Sequence, residues 1–343
     1  MVLPDTTRKG RRKMGLTIGV DVGGTKVAAG VVNEHGAIIE KLKRSTPAAS
    51  PEQTAEVIGD AVTELLSRHS VQVVGVGAAG FVEESRSTVL FAPNLAWRGE
   101  PVQKLIEDRV GLPVVVENDA NAAAWAEVTL GAARGHRDVV LIAVGTGIGG
   151  GIIINGELYR GRWGVAGEPG HYRVVAEGRL CGCGNRGCWE QYASGSALVA
   201  EAREFARRSP GAAARLLRLG GGVAEGITGP EITVAAREGD EAALRCFGIV
   251  GRWLGEGLAD LATILDPSCF VIGGGVSEAG DLLVAPARAA FENGLTGRHY
   301  RQFAEVRLAE LGADAGLIGA ADLARRALTL RSQHRAVVRP VTT

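Results

Sequence analysis

The sequence lacks an excess of charge of either sign and lacks a long apolar run. Lysine plus arginine and aspartate plus glutamate each number 38 among the 343 residues, so the formal net charge is zero. This balance argues against nucleic acid or a membrane surface as a partner, because both attract an excess of positive charge. No apolar run approaches the ~20 residues of a membrane helix, so we expect no membrane-spanning segment.

Cysteine is also scarce, and its five copies are unevenly placed. Cys181, Cys183 and Cys188 lie close together among glycines, and His171 precedes them. Three thiolates and an imidazole form the closed tetrahedral set of a structural zinc site. Closely spaced cysteines in a chain without a secretion signal favour a metal over a disulfide. We expect structural Zn²⁺ here; the alternative is a reduced, inert loop that is rich in cysteine.

Both ends of the sequence are expected to be disordered. Residues 1–13 include five basic side chains, but Leu16–Asp21 then indicates a short strand, whereas a signal peptide would continue into an apolar segment and a small-residue cleavage site. We therefore expect a cytoplasmic protein whose translation starts at Met1 or Met14. Residues 331–343 are expected to form the second disordered tail.

Apolar segments and turn signals alternate along the chain as in an α/β protein. Val20–Lys26 and Val144–Gly150 each place a glycine turn between two strands, which indicates two α/β domains of related topology with a boundary near 130–137. Residues 208–229 look like a surface excursion. Strands are predicted at 16–21, 27–32, 38–42, 73–78, 114–117, 139–144, 152–154 and 270–272. Helices are predicted from Ser50 past Leu65 and at 101–110, 120–130, 194–207, 240–264 and 315–327.

Three glycine clusters that follow apolar strands favour a nucleotide site. They are Asp21–Lys26, Gly145–Gly150 and Gly273–Gly275. Their glycines let backbone amides approach an anion, and Asp21 could reach Mg²⁺ through water. Neither of the first two matches the P-loop, and taken singly each could equally be a tight hairpin turn.

The segment Glu117–Asn121 ends an apolar strand and opens an alanine-rich helix. Ligands bind beyond the carboxyl ends of such strands, which makes Asp119 a candidate catalytic residue. The alternative is that Asp119 only caps the helix, a position that suits its residue type. Further carboxylates, amides and an imidazole would suit a site for a sugar with many hydroxyl groups: Asn94, Asn118, Glu168, His171 and Glu190.

Taken together, these motifs resemble those of the ROK family (repressors, open reading frames and kinases). The resemblance runs in order from about residue 16 to 327. Within the family, the segments 250–255 and 266–277 are similar to those of bacterial ATP-dependent glucokinases of the actinobacterial type. One departure is Pro169, where many members have an apolar residue, so the local loop shape is expected to differ.

The resemblance implies a two-domain α/β fold of the actin-like ATPase (ribonuclease H-like) type with a cleft between the domains. The small domain would comprise 14–130 joined by a C-terminal helix at 314–330, and the large domain 131–313 would include a zinc knuckle at 171–190. The implied reaction is ATP-dependent phosphorylation of glucose at the 6-hydroxyl, in a homodimer or homotetramer.

The resemblance also implies a role for each motif residue. Asp119 would be the general base, and His171, Cys181, Cys183 and Cys188 would bind zinc. The sugar would be held by Asn94, Asn118, Asp119, Glu168, His171 and Glu190. ATP with Mg²⁺ would be surrounded by Asp21, Gly23, Gly24, Thr25, Lys26, Gly145, Thr146, Gly147 and Gly274.

Other functions stay open at this point. The acceptor could be mannose, fructose, allose or an N-acetylhexosamine, and polyphosphate could replace ATP. A sugar-sensing ROK repressor is disfavoured because the first glycine turn begins at Asp21, which leaves no room for a DNA-binding domain before it. A dinucleotide-dependent dehydrogenase is disfavoured because no complete glycine fingerprint opens a helix.

Overall fold

The structure, a computed structural model, describes residues 15–337. The tail expected at 1–13 lies outside the described residues. So does 338–343, the last part of the tail expected at 331–343. The chain divides into two compact units. The first contains 15–123 and 316–337, and the second contains 124–315. The domain boundaries expected from the sequence stay a prediction. No helix within 15–337 has the length and apolar character needed to cross a membrane.

The first unit is built on a five-stranded sheet in the order β3-β2-β1-β4-β8. β1 pairs with β2 in antiparallel and with β4 in parallel orientation, and β8 continues the parallel part. A small three-stranded sheet, β5–β7, accompanies it. The elements are β1 (Leu16–Val22), β2 (Lys26–Val32), β3 (Ile38–Ser45), α1 (Pro51–Leu66), β4 (Val71–Ala78), β5 (Phe81–Val82), β6 (Val89–Phe91), β7 (Arg98–Glu100), α2 (Val102–Val110), β8 (Val114–Asn118) and α3 (Asp119–Thr129), which continues into the second unit.

The second unit has a related sheet in the order β11-β10-β9-β12-β13. β9 pairs with β10 in antiparallel and with β12 in parallel orientation. The elements are β9 (Val139–Val144), β10 (Ile148–Ile154), β11 (Glu157–Tyr159), α4 (Glu190–Ala193), α5 (Gly195–Arg208), α6 (Ala214–Leu219), α7 (Gly229–Arg237), α8 (Glu241–Leu265), β12 (Cys269–Gly273), α9 (Asp281–Gly294) and β13 (Glu305–Leu308). The last helix, α10 (Ala315–Val337), belongs to the first unit except for its first residue.

Glycines allow a helix to approach a sheet or another helix closely. A Cβ on Gly19 of β1 would lie 2.0 Å from the carbonyl oxygen of Leu317, and one on Gly75 of β4 would lie 1.9 Å from that of Ala320. α10 therefore packs with its backbone against the first sheet. In the second unit, a Cβ on Gly255 of α8 would lie 2.0 Å from a carbonyl oxygen of α9. The glycine spacing in α8 predicts such a close helix contact.

Every strand and helix predicted from the sequence is confirmed, although several ends differ. β10 begins at Ile148, so the loop expected over Gly145–Gly150 is shorter, because glycines of this strand pair regularly with β9. The expected surface excursion 208–229 contains the short helix α6. α10 continues to Val337, so the expectation of disorder from residue 331 is wrong for 331–337. From Ala320 to Val337 its sequence has no glycine or proline that would end the helix.

Candidate active site

Asp119 lies where β8 ends and α3 begins, and β4 separates β8 from β1 in the sheet. The capping role that the sequence left open belongs to its neighbour. The Asn118 side-chain oxygen accepts a hydrogen bond from the Asn121 N–H at 2.9 Å, and its amide nitrogen donates to the Gly80 carbonyl at 3.1 Å. Asn118 is therefore the N-cap, and Asp119 is the first helical residue. The Asp119 carboxylate is not needed to cap the helix.

The electrostatic setting of Asp119 favours a base that works near neutral pH. Burial, together with the nearby carboxylate of Asp21, raises the pKa of Asp119 to about 7. The Ala120 N–H donates to Asp119 Oδ1 at 2.9 Å and opposes this rise only in part. A carboxyl group with such a pKa can accept and release a proton at physiological pH.

The first glycine turn joins β1 to β2 in the same unit. The Gly23 N–H donates to the Lys26 carbonyl at 3.0 Å and closes the turn. A Cβ on Gly24 would lie 2.7 Å from the Asn94 Cβ, so Asn94 lies directly against this turn. Thr25 and Lys26 are exposed. The structure thus brings Asn94 together with the turn, and Asp21 together with Asp119.

The other two glycine clusters meet in the second unit. The Gly145 N–H donates to the Gly147 carbonyl at 3.0 Å, which makes a tight turn between β9 and β10. Gly274 has a φ of 83°, and a Cβ there would lie 2.5 Å from the Val144 carbonyl oxygen. Only glycine fits this conformation and this contact. The sequence could not show that the Gly195 N–H, at the start of α5, binds the Gly145 carbonyl at 2.8 Å.

A cavity of about 1370 Å³ opens beside these turns in the second unit. Five arginines and two glutamates line it, so its wall carries an excess of positive charge that suits an anionic ligand. This cavity could not be predicted from the sequence, because its wall combines α5, α7 and the turn after β12, which are distant along the chain. The lining includes Gly145, Thr146, Gly195, Ser196, Gly275, Arg179, Arg203, Arg207, Arg208 and Arg237.

The four residues expected to bind zinc come together. One ligand atom from each of His171, Cys181, Cys183 and Cys188 lies within 4.8 Å of the other three. The Cys183 and Cys188 sulfurs are 3.6 Å apart, and His171 Nδ1 lies 3.7 Å from the Cys181 sulfur. Zn–S bonds of ~2.3 Å in a tetrahedron put two sulfurs ~3.8 Å apart. The donor set therefore fits zinc in both chemistry and spacing.

Glu190 links this cluster to the second glycine turn. Its Oε1 lies 2.9 Å from the Cys181 sulfur and 3.8 Å from His171 Nδ1, and its Oε2 accepts from the Ile148 N–H at 3.4 Å. A Cβ on Gly147 would lie 2.4 Å from Glu190 Oε2. Glycine at position 147 therefore leaves room for the carboxylate.

Glu168 and Pro169 begin the short 3₁₀ turn that leads to His171. The His171 N–H donates to the Glu168 carbonyl at 3.2 Å, so the turn ties these two residues together. The Pro169 ring packs on β10, where a Cβ on Gly150 would lie 2.5 Å from it. The unusual proline thus occupies space left by a glycine on the neighbouring strand.

The chain belongs to the ROK family, because the sequence profile of that family matches residues 17–327. It is 54% identical to a glucokinase of Streptomyces coelicolor over 312 residues, which cover 91% of this chain and 98% of the relative. It is 34% identical to an N-acetylmannosamine kinase of Escherichia coli over 319 residues, covering 90% of this chain and 98% of the relative.

A solved structure supports the same grouping. The chain is similar to a ROK family glucokinase from Streptomyces griseus in complex with glucose and AMPPNP, with a TM-score of 0.83 and 56% identity. The similarity covers 91% of this chain and all of that one. The fold class expected from the sequence, a two-domain α/β fold of the actin-like ATPase type, is confirmed.

Proposed function

We propose that this chain transfers the γ-phosphoryl group of ATP to the 6-hydroxyl of glucose, which yields glucose 6-phosphate and ADP. The observation that supports this most is Asp119, a carboxyl group with a pKa near 7 at the end of β8. It occurs in a chain 54% identical to a Streptomyces glucokinase. Because ATP is a cytoplasmic nucleotide, we propose the cytoplasm as the place of the reaction. The homodimer or homotetramer stays a prediction.

Asp119 is the general base in this proposal. Phosphoryl transfer has a loose transition state, so positioning and charge neutralisation dominate and proton removal comes late. The Asp119 carboxylate accepts the proton of the 6-hydroxyl as the new bond to phosphorus forms and the bond to ADP breaks. A positioned base of this kind contributes ~10²–10⁴ in rate. Asn118 keeps a second amide hydrogen beyond its bond to Gly80, and that hydrogen is available to a sugar hydroxyl.

The nucleotide is held by the glycine turns. The turns bring the backbone at Gly23, Gly24, Gly145 and Gly147 close to the phosphates. The N–H groups of Gly23 and Gly145 close the turns, so Gly24 and Gly147 supply the amide donors. Thr25, Lys26 and Thr146 add hydroxyls and a charge. The arginine-lined cavity beside Gly145 and Gly274 receives the rest of ATP. Asp21 suits Mg²⁺, because carboxylate oxygen is the donor this cation prefers, and the cation would neutralise phosphate charge when bound.

In this proposal the sugar hydroxyls are bound by Asn94, Glu168, His171 and Glu190. When bound, Zn²⁺ would fix the zinc knuckle as a structural ion and take no part in the chemical step. His171 faces the thiols with Nδ1, so Nε2, on the other side of the ring, is left for a hydroxyl.

One relative favours a second candidate for the sugar acceptor, an N-acetylhexosamine. The N-acetylmannosamine kinase of Escherichia coli is 34% identical to this chain over most of both lengths. Acceptors with different groups at C2 therefore occur among relatives. Buried polar groups that lose their hydroxyl partner can discriminate strongly against the wrong sugar.

A coupled ADP-release screen tests the proposal. Purified protein is assayed with ATP or polyphosphate against glucose, mannose, fructose, allose, N-acetylglucosamine and N-acetylmannosamine. We expect glucose with ATP to give the highest kcat/KM, and Asp119→Asn to lower turnover by ~10²–10⁴-fold while sugar affinity changes by a few fold at most. A higher kcat/KM with another sugar would reassign the acceptor, and sugar-independent ADP release alone would refute the kinase.

A further inference from the structure

Glu127 in α3 is a fully buried carboxylate that no role above accounts for. The Ala132 N–H donates to its Oε2 at 2.8 Å, the Glu310 N–H donates to Oε2 at 3.2 Å, and the Leu311 N–H donates to Oε1 at 2.9 Å. One side chain thus binds three backbone donors from two segments that are about 180 residues apart in sequence.

The position of Glu127 is electrostatically unfavourable for the helix alone. It lies in the last turn of α3, where the carbonyl ends already concentrate negative charge. A glutamine of the same size would place an NH₂ group opposite a backbone N–H, so the arrangement requires acceptors at both terminal atoms. The site is also shaped for the carboxylate, since a Cβ on Gly131 would lie 2.1 Å from Glu127 Oε2.

The two segments joined by Glu127 lie close in sequence to the two points at which the chain passes between its units. The chain leaves the first unit between Ala123 and Ala124, within α3, and returns to it between Ala315 and Gly316. Glu127 follows the first passage by a few residues, and Leu311 precedes the second by a few. On the first-unit side α3 and α10 touch, because a Cβ on Gly319 would lie 1.8 Å from the Ala122 carbonyl oxygen.

A second contact reinforces this connection. The Arg307 guanidinium donates to the Ala132 carbonyl at 2.6 Å, so residue 132 is bound by both its N–H and its carbonyl.

Glu127 and Asp119 lie at opposite ends of α3, and Asp119 precedes Glu127 by eight residues. Because α3 is one continuous helix from Asp119 to Thr129, restraining its last turn also restrains its first residue.

We propose that Glu127 is a positioning residue for phosphoryl transfer: it fastens both passages between the units into one element and thereby sets the place of Asp119 at the acceptor hydroxyl. This inference rests on the proposed kinase function. A displacement of about 1 Å at a reacting group can cost ~10²-fold in rate. The expected signature is a loss of kcat without a loss of ligand affinity.

The test compares Glu127→Gln with the wild type and with Glu107→Gln as a matched control. Glu107 also binds a backbone donor, the Val114 N–H at 2.9 Å, but lies within the first unit away from both passages. We expect Glu127→Gln to lower kcat by about 10–100-fold with both KM values within about threefold. Glu107→Gln should keep kcat within twofold.

Amide hydrogen exchange supplies a readout that does not depend on catalysis. We expect the amides of Ala132, Glu310 and Leu311 to exchange faster in Glu127→Gln, with the β1 and β9 amides unchanged. If Glu127→Gln does not fold, Gly131→Ala, which displaces the carboxylate without removing it, takes its place.

Faster exchange with unchanged kcat would overturn the positioning role, as would an equal loss of kcat in Glu107→Gln. A wild type without sugar-dependent turnover would instead refute the kinase, while the exchange result would still report on the fastening.

Discussion

Replacing Asp119 with asparagine should stabilise the protein at alkaline pH. Asparagine keeps a side-chain oxygen for the bond from the Ala120 N–H and is nearly isosteric. It removes a carboxylate whose pKa is raised to about 7 by burial and by the nearby Asp21. An acid whose pKa is higher in the folded than in the unfolded state destabilises the fold when ionised, so this penalty is complete above pH ~7 and absent below pH ~4.

The size of the effect follows from the shift. The ordinary pKa of an aspartate is 3.8, and its rise to about 7 corresponds to at most ~4 kcal/mol at ~1.4 kcal/mol per pH unit. Asp119 is only half-buried, and solvent screening reduces this to ~1–2 kcal/mol. Each 1 kcal/mol moves Tm by ~2–4 °C for a domain of this size, so we expect an increase of ~2–8 °C at pH 8.

The assay is thermal unfolding between pH 5 and 8.5 without nucleotide or added Mg²⁺. Asp60→Asn, at an exposed position of α1, is the matched control and should change Tm by less than ~1 °C at every pH. The gain for Asp119→Asn should shrink steadily as the pH falls toward 5. A Tm at or below the wild type at pH 8, or the same gain at pH 5, would refute the raised pKa and the reasoning built on it.

Three further predictions concern activity. The kcat/KM should fall about tenfold per pH unit below pH ~7, because the Asp119 carboxylate must be ionised to accept a proton; a flat profile down to pH 5.5 would contradict this. Cys183→Ser should lose bound zinc by elemental analysis and weaken sugar binding; a fully active, zinc-free variant would make the knuckle dispensable. Gly147→Ala, which drives a methyl group into Glu190, should lower kcat/KM by ~10-fold or more, whereas Gly182→Ala, with open space around it, should match the wild type.

The zinc ligands were predictable because they are nearly local in sequence. The cysteines lie within eight positions, and the turn at Pro169–His171 supplies the fourth donor. The helix start at residues 118–119 was also predictable. Which of the two residues caps it was not, because asparagine and aspartate suit that position equally. Only the bonds of Asn118 to Asn121 and Gly80 settle the assignment.

Contacts between distant segments could not be predicted. Gly19 and Gly75 look like ordinary strand residues until α10, some 250 to 300 residues later, is placed against them. The strands of β5–β7 are two or three residues long, too short for an alternating pattern to stand out. Glu127 looks like one more helix-surface glutamate, since nothing nearby indicates that Glu310 and Leu311 bind it.

The most direct measurement is a single-turnover phosphoryl-transfer assay with glucose and ATP that quantifies glucose 6-phosphate and ADP in wild type and Asp119→Asn. The proposed mechanism predicts equal amounts of both products in the wild type. It also predicts a rate at least ~10²-fold lower in the variant, with glucose affinity changed by a few fold at most. Absence of glucose 6-phosphate in the wild type, or a near-normal rate in Asp119→Asn, would contradict it.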